Sequence, residues 1–181
     1  MGFSVSYLAV KNKAKLEILR NLSLKGTREF EEFFDSDYNG ADLDNGWYLV
    51  VANEFQSKIF KESSLSRLSQ GTELLTCMVE EHLMHSVATG WSDGKQIWSV
   101  YHAGDGEDNE TNLTSEGDLP EDFEQVKEQM FSEQSGSKGG VDYIFDIPVA
   151  LFTNATGFRY DYVPEELGAK PFEKLKTLGT P

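Results

Sequence analysis

The sequence predicts a single α+β domain in which helices pack on one mainly antiparallel sheet. Two observations predict the sheet: several segments alternate apolar and polar residues, and an Asp-Gly pair joins two apolar runs. Between these segments, apolar residues recur at helical spacing, which predicts helices. A chain of 181 residues that is 39% hydrophobic can form one core without disulfides, and we place this domain at residues 1–163.

The chain opens with a predicted strand followed by a predicted helix. Residues 3–10 carry apolar side chains at every second position, which is the period of a strand with one buried face. Asn12 is a candidate cap for a helix with three leucines between residues 16 and 22. Gly26 is the expected end of that helix.

A second helix and a polar loop are predicted next. Thr27 is a candidate cap, and three phenylalanines between residues 30 and 34 have helical spacing, so their rings are expected to face the core. Residues 35–46 are rich in Asp, Asn and Gly and predict a loop. Trp47–Ala52 is apolar at every position, which predicts a central strand.

A β-hairpin is predicted in the middle of the chain. A brief helix capped by Ser63 or Ser64 comes first, and residues 73–91 then carry the β-branched residues that favour a strand. Asp93-Gly94 separates this segment from the apolar run of residues 96–102. Asp-Gly between apolar runs is typical of a two-residue hairpin turn.

The next predicted elements are an exposed loop and a helix. Residues 103–117 are rich in Gly, Asp, Asn and Glu, which favours an exposed loop. Pro120 suits the first turn of a helix, and Glu121 and Asp122 beside it favour the positive end of the helix dipole.

The last part of the chain predicts strands, a short helix and a tail. Residues 141–147 and 158–162 alternate like strands, and between them residues 149–156 predict a short helix that Gly157 ends. Residues 164–181 contain three prolines and little periodicity. We therefore expect a loosely attached C-terminal tail there.

The charge of the chain excludes some classes of partner. The chain has 31 acidic and 16 basic residues, a formal net charge of -15, which repels nucleic acid and anionic lipid. No apolar segment is long enough to span a membrane, and Cys77 is the single cysteine. These features predict a cytoplasmic protein that binds neither nucleic acid nor membrane and needs no cofactor.

The acidic residues are concentrated in two stretches without Lys or Arg, residues 29–57 and 96–126. Clustered carboxylates accelerate encounter with a basic protein, and Phe33, Tyr38 and Trp47 are candidate anchors among them. The sequence therefore favours a non-enzymatic binding protein, such as a bacterial inhibitor of the immunity type that covers a basic effector. An ordinary solvated surface remains the alternative. The candidate partner-binding residues are Glu29, Glu31, Glu32, Asp35, Asp37, Asp42, Asp44, Asp105, Glu107, Asp108 and Glu110.

The histidines suggest a different class of function, a small metal-dependent hydrolase. Counting outward from the Asp93-Gly94 turn places His85 opposite His102, a distance at which two imidazoles can share a metal ion. His82, Glu80 and Glu81 are nearby candidates for the remaining catalytic groups. Two separate half-exposed histidines on a sheet are the simpler interpretation, because no third ligand is predicted.

A calcium site is a further hypothesis. Asp35, Asp37 and Asn39 match the first half of a calcium-binding loop, with Gly40 at its sixth position. The twelfth position is Gly46 instead of the glutamate that completes such loops. A polar turn explains the same residues equally well.

Overall fold

A computed structural model describes residues 2–43, 45–104, 112–137, 140–162 and 171–179, which form a nine-stranded antiparallel sheet with helices on both faces. The strands are β1 Ser4–Lys11, β2 Leu24–Glu31, β3 Tyr38–Asp42, β4 Trp47–Ala52, β5 Glu73–Glu80, β6 His85–Ser92, β7 Lys95–Ala103, β8 Leu113–Gly117 and β9 Phe172–Thr177. The helices are α1 Lys15–Asn21, α2 Glu62–Leu68, α3 Phe123–Gly136 and α4 Asp146–Thr156, with a 3₁₀ turn at Lys58–Phe60. The predicted α+β class is confirmed.

The strand order across the sheet is β2-β9-β3-β4-β1-β5-β6-β7-β8, which places β1 at the centre. Every neighbouring pair is antiparallel. The first strand was expected to bury one face, yet nearly all of β1 is buried because helices cover both faces of the sheet. The same double coverage accounts for the unbroken apolar run of β4, which was correctly predicted to be a central strand.

Helices α3 and α4 cover one face of the sheet. Tyr7 of β1 is fully buried there, and its ring meets the edge of Phe152 in α4 at a centroid distance of 4.8 Å. Phe158, just after α4, packs on Tyr7 from another side at 5.3 Å. Edge-to-face aromatic packing of this kind stabilises beyond simple burial, so this cluster anchors α4 to the middle strand.

Helices α1 and α2 cover the opposite face. Leu8 and Val10 of β1 point to this side and share a buried cluster with Ile18 of α1 and Leu68 of α2. None of the helices in the described ranges is long and apolar enough to cross a bilayer.

The helix predicted around residues 27–34 is wrong, because residues 24–31 form the edge strand β2. Phe30 is 58% exposed and does not face the core. Gly26 lies inside the strand, where the Glu173 carboxylate of the neighbouring strand β9 occupies the space that a side chain would need. Pairing with β9, whose residues are 141 to 153 positions away along the chain, overrides the local helical spacing. Tertiary contacts often override local propensity in this way.

The predicted C-terminal tail contains an inner strand. Phe172–Thr177 forms β9, which pairs with β2 on one side and β3 on the other. The expectation of a loose tail is therefore wrong for residues 172–177. The segment has little periodicity, but its Phe172 and Leu175 side chains are buried. Residues 163–170 lie outside the described ranges.

Residues 141–147 are not a strand, as was expected, but lead into α4. The Asp142 carboxylate accepts hydrogen bonds from the backbone N–H groups of Ile144 and Phe145, which satisfies donors at the start of the turn. Pro148 lies in the first turn of α4, where its missing N–H costs nothing. The helix ends at Gly157 with a φ of 79°, as predicted.

Two short polar strands were predicted as loops. β3 lies within residues 35–46 and β8 within residues 103–117. Neither has the alternating or wholly apolar pattern that indicates a strand, and each is recognisable only through its partner strand. Residues 158–162, in turn, alternate without forming a strand.

Candidate functional site

The beginning of the first acid-rich stretch and the strands of the second lie at opposite edges of the sheet. Residues 29–37 lie on and after the edge strand β2, whereas β7 and β8, which flank residues 105–111, are at the opposite edge. Eight strand spacings separate the two edges, which amounts to about 38 Å. Residues 29–37 are therefore remote from β7 and β8, and the partner-binding role of the two stretches stays a prediction.

The predicted partner-binding residues also differ in how much charge they present. Glu29, Glu32, Asp35, Asp37 and Asp42 are exposed. Five further candidates, Asp44, Asp105, Glu107, Asp108 and Glu110, lie outside the described ranges.

Glu31 is largely neutralised within the fold. Its carboxylate lies 3.3 Å from Lys174 Nζ and accepts hydrogen bonds from Asn39 Nδ2 at 2.6 Å and from the Ser36 backbone N–H at 2.8 Å. Burial alone would raise the pKa of Glu31, but these hydrogen bonds hold it below the ordinary value of 4.5. Glu31 therefore stabilises the strand edge instead of presenting charge to a partner.

The predicted pairing of His85 with His102 is wrong. A bulge between Gly90 and Trp91 shifts the β6–β7 register by one residue, so that Ser86 pairs with His102 and His85 with Ala103. Because neighbouring residues on a strand point to opposite faces, His85 and His102 lie on different sides of the sheet.

The remaining hydrolase candidates are also held apart. His102 is fully buried with its Nε2 2.9 Å from Asp142 Oδ2, and Glu80 accepts a hydrogen bond from the Ser4 hydroxyl. Glu81 accepts hydrogen bonds from the Tyr160 hydroxyl and the Phe3 backbone N–H, while His82 is exposed in the turn before β6. In the described part of the chain, no three His, Cys, Asp or Glu side chains are grouped to hold a metal ion.

Cys77 gives no support to nucleophilic catalysis. Its side chain is fully buried in the core, and burial raises the pKa of its thiol to about 12. A thiol with this pKa forms almost no thiolate at neutral pH.

The calcium hypothesis gains no geometric support. Asn39 belongs to β3, is fully buried, and turns its amide to Glu31 instead of to Asp35 and Asp37. Calcium binding at Asp35, Asp37 and Asn39 stays a prediction that calcium titration would test.

The structure brings together a different set of residues, which we call the tryptophan groove: Trp47, Trp91 and Trp98 with Glu73, Asp118, Glu121 and Asp122. The groove has a volume of about 580 Å³ and lies between the sheet, the end of α4 and the connection from β8 to α3. Trp47 and Trp98 belong to the buried cluster on the α3–α4 face of the sheet. The Trp91 indole packs in the cluster on the opposite face and donates a hydrogen bond to Thr89 Oγ1 at 2.9 Å.

A glycine shapes the floor of the tryptophan groove. Gly90 of β6 pairs with Trp98 of β7, and the Trp98 indole occupies the space that a side chain at position 90 would fill. Trp98 lines the groove although it is only 8% exposed. Glycine within a strand often permits this kind of close approach.

Two of the four groove carboxylates, Asp118 and Glu121, carry uncompensated charge. Asp118 and Glu121 are exposed, and no lysine or arginine of the described ranges forms an ion pair with either of them. Asp122 accepts a hydrogen bond from Asn154 Nδ2 at 2.7 Å, which ties the start of α3 to the end of α4. The potential in the groove is therefore negative.

One cation of the chain already contacts the groove residues. The Lys11 ammonium lies 5.4 Å from the centroid of the Trp47 ring and 3.0 Å from a carboxylate oxygen of Glu73. This combination of an indole face and a carboxylate is the arrangement that stabilises a cation near a protein surface. Lys11 is therefore an example, within this chain, of a lysine side chain held by an indole ring and a carboxylate.

Sequence reasoning found only part of this site. Trp47 was proposed as an anchor, and Asp118, Glu121 and Asp122 belong to the second acidic stretch but were not singled out. Trp91 and Trp98 were taken only as strand residues. The position of Trp98 in the groove depends on the β6–β7 register and on α4, neither of which can be read locally.

The free energy of unfolding depends on pH through three carboxyls, those of Glu31, Asp142 and Glu173. In each case burial would raise the pKa, but hydrogen bonds outweigh it: Asn39 and Ser36 act on Glu31, His102 on Asp142, and Lys15 on Glu173. A lowered folded-state pKa contributes stability that is present above the unfolded value and lost as the pH falls through the folded value. Asp146 acts in the opposite direction, because burial raises its pKa despite the neighbouring Arg159.

We therefore expect the free energy of unfolding to fall as the pH is lowered below the ordinary values of 4.5 for Glu and 3.8 for Asp. Urea unfolding followed at a series of pH values measures this. The triple variant Glu31→Gln, Asp142→Asn, Glu173→Gln should be less stable at neutral pH and show a shallower acid decline. A free energy of unfolding that rises on acidification would contradict the lowered pKa values assigned to these three carboxyls.

Comparison with known proteins adds no relative: no protein-family model matches the chain, and neither does a curated protein or a solved structure.

Proposed function

We propose that the protein is a non-enzymatic binding protein whose tryptophan groove takes positively charged side chains of a basic partner protein. The observation that carries the proposal is the convergence of Trp47 and Trp98, on one face of the sheet, with the exposed carboxylates of Asp118 and Glu121 in one groove. Indole faces and carboxylates together bind lysine and arginine side chains through cation–π and ionic contacts.

The net charge of the chain supports the same class of partner. A formal charge of -15 accelerates encounter with a basic protein and opposes acidic ones. Long-range electrostatic attraction accelerates encounter but does not hold the partner in place. The tryptophan groove supplies the short-range contacts that do so. An inhibitor of the immunity type, which covers a basic effector, fits these two properties.

The hydrolase alternative has no comparable support. Its histidines lie on opposite faces of the sheet or in an exposed turn, and its two glutamates are engaged by Ser4, Phe3 and Tyr160. The acid stretch at β2 is a weaker candidate surface, because Glu31 is neutralised.

The proposal predicts that a lysine- and arginine-rich decapeptide binds in the tryptophan groove. The double variant Asp118→Asn, Glu121→Gln should weaken this binding by about 1–2 kcal/mol, or roughly five- to thirtyfold, because each lost carboxylate removes up to about 1 kcal/mol of ionic attraction. Isothermal titration calorimetry at low and moderate salt measures the affinity, and added salt should weaken it.

The matched control is Glu29→Gln, Glu32→Gln, which removes the same charge from two exposed acids of the first acidic stretch. The control should change affinity by less than about twofold, since only the long-range field is altered. Equal loss in both variants would mean that the groove has no special role, and the proposal would fail.

A further inference from the structure

A second pocket lies at the other end of β4, and we propose that it binds a quaternary ammonium group. We call it the aromatic pocket; it is lined by Phe3, Phe33, Phe34, Tyr160 and Tyr162 together with Asp35, Asn53 and Asp161. Its volume is about 300 Å³, enough for a trimethylammonium head group with its first methylenes. The proposal is independent of the function assigned to the tryptophan groove.

The two sites are separated along β4. Trp47, at the start of the strand, lines the tryptophan groove, and Asn53, just after its end, lines the aromatic pocket. Six residue steps of extended chain place them about 20 Å apart. A small ligand therefore occupies one site or the other.

The rings of the aromatic pocket come from three segments of the chain. Phe3 precedes β1, Phe33 and Phe34 lie between β2 and β3, and Tyr160 and Tyr162 follow α4. Phe3 packs against Tyr160 at a centroid distance of 5.2 Å and against Phe34 at 6.5 Å. The floor of the pocket is therefore preformed by packing between distant segments.

The rim of the aromatic pocket leaves large apolar rings in contact with solvent. Phe3 is 40% exposed, Phe33 45% and Tyr162 47%. Three exposed aromatic rings around one concavity form an apolar patch of the kind that marks binding sites on protein surfaces.

The local charge favours a cation over a neutral apolar ligand. Asp161 is held by Arg159, whose Nε lies 2.6 Å from its carboxylate and whose Nη2 also contacts Asp146 at 2.9 Å. The guanidinium is thus balanced by two carboxylates. Asp35 is exposed and has no ion-pair partner in the described ranges, so the pocket has a net negative charge.

The ring faces themselves already accept a cation in this protein. The Arg159 guanidinium lies 5.5 Å from the centroid of the Tyr162 ring. Aromatic rings arranged around an acidic group recognise alkylated ammonium ions, because the methyl groups gain apolar contact while the charge interacts with the ring faces. A primary ammonium is more strongly hydrated and gains less from such a site.

The Asn53 side chain is committed to building the pocket. Its Nδ2 donates hydrogen bonds to the backbone carbonyls of Phe34 and Ser36, which holds the β2–β3 connection in place. The polar group left for a ligand is the Asp35 carboxylate. Anionic ligands are disfavoured by the same charge.

The test compares choline with 3,3-dimethylbutan-1-ol, its uncharged isostere of nearly the same shape. Saturation-transfer NMR of the ligand methyl protons detects binding in the millimolar range. Choline should bind about fivefold more tightly than the isostere, since only choline gains the cation–π contribution. Equal binding of both compounds, or no binding of choline, would overturn the proposal.

Matched variants locate the binding site. Phe33→Ala and Asp35→Asn should each weaken choline binding by about fivefold, whereas Phe30→Ala and Asp37→Asn, which replace neighbours outside the pocket, should change it by less than about twofold. Because no tryptophan lines the aromatic pocket, choline should leave tryptophan fluorescence unchanged. A fluorescence change that tracks choline binding would place the ligand in the groove and refute this site.

Discussion

Replacing Phe152 by alanine is expected to lower the free energy of unfolding by about 3–5 kcal/mol, the range for removing a buried phenylalanine. Phe152 is fully buried in α4 and meets the edge of Tyr7 in the central strand. The loss of this ring removes both apolar burial and the aromatic contact that holds α4 on the sheet. Urea unfolding monitored by circular dichroism measures the change.

Phe30→Ala is the matched control for Phe152→Ala, because it deletes the same side chain from an exposed position on the edge strand β2. We expect a change of less than about 1 kcal/mol, as for most surface substitutions. Equal destabilisation by the two variants would contradict the assignment of residues 24–31 to an edge strand and of Phe152 to the core.

Gly90→Ala is expected to cost about 1–3 kcal/mol and to disrupt the tryptophan groove, the usual effect of overpacking. A methyl group at position 90 would overlap the Trp98 indole, which must then leave its place on the sheet. Unfolding measurements give the stability loss, and a shifted tryptophan emission with weaker binding of the basic decapeptide reports the groove.

Gly136→Ala serves as the control for the glycine substitution. Gly136 is the last residue of α3 and has no atom within 4 Å of the position that a side chain would take. Alanine there should leave stability unchanged or raise it by up to about 1 kcal/mol by restricting the unfolded chain. A Gly90→Ala variant with normal stability and unchanged fluorescence would show that Trp98 does not depend on this glycine.

The elements that were predicted correctly are those with strong local patterns. Trp47–Ala52 is apolar throughout, Asp93 and Gly94 both adopt the positive φ that a tight hairpin turn requires, and Gly157 ends α4 in the left-handed conformation. Each of these depends on residues within a few positions of one another.

The elements that could not be predicted depend on distant partners. β2 has helical spacing and becomes a strand because β9 pairs with it, and β9 itself lies in a segment with little periodicity. The candidate site depends on distant partners in the same way. The bulge between Gly90 and Trp91 shifts the register by one residue, which separates His85 from His102 and places Trp98 opposite Gly90.

The acidic composition pointed to a class of partner but not to a surface. Counting carboxylates along the chain selected residues on and after the edge strand β2, together with Asp42 on the inner strand β3 and others outside the described ranges. The tryptophan groove instead combines Glu73 from β5 with Asp118, Glu121 and Asp122 from the connection between β8 and α3. Only the fold brings these groups together.

The most direct test of the proposed function is two-dimensional ¹H–¹⁵N NMR of the three indole N–H groups during titration with the basic decapeptide. Trp47 and Trp98 lie on the groove face of the sheet, so their two indole signals should shift together and saturate at the affinity measured by calorimetry. The indole of Trp91 packs on the opposite face and donates to Thr89, so its signal should shift less. The backbone amides of Glu29 and Glu32 should shift little. Unmoved signals of the Trp47 and Trp98 indoles, with shifts concentrated at residues 29–37, would contradict binding in the tryptophan groove. They would show that the peptide binds at the edge strand β2.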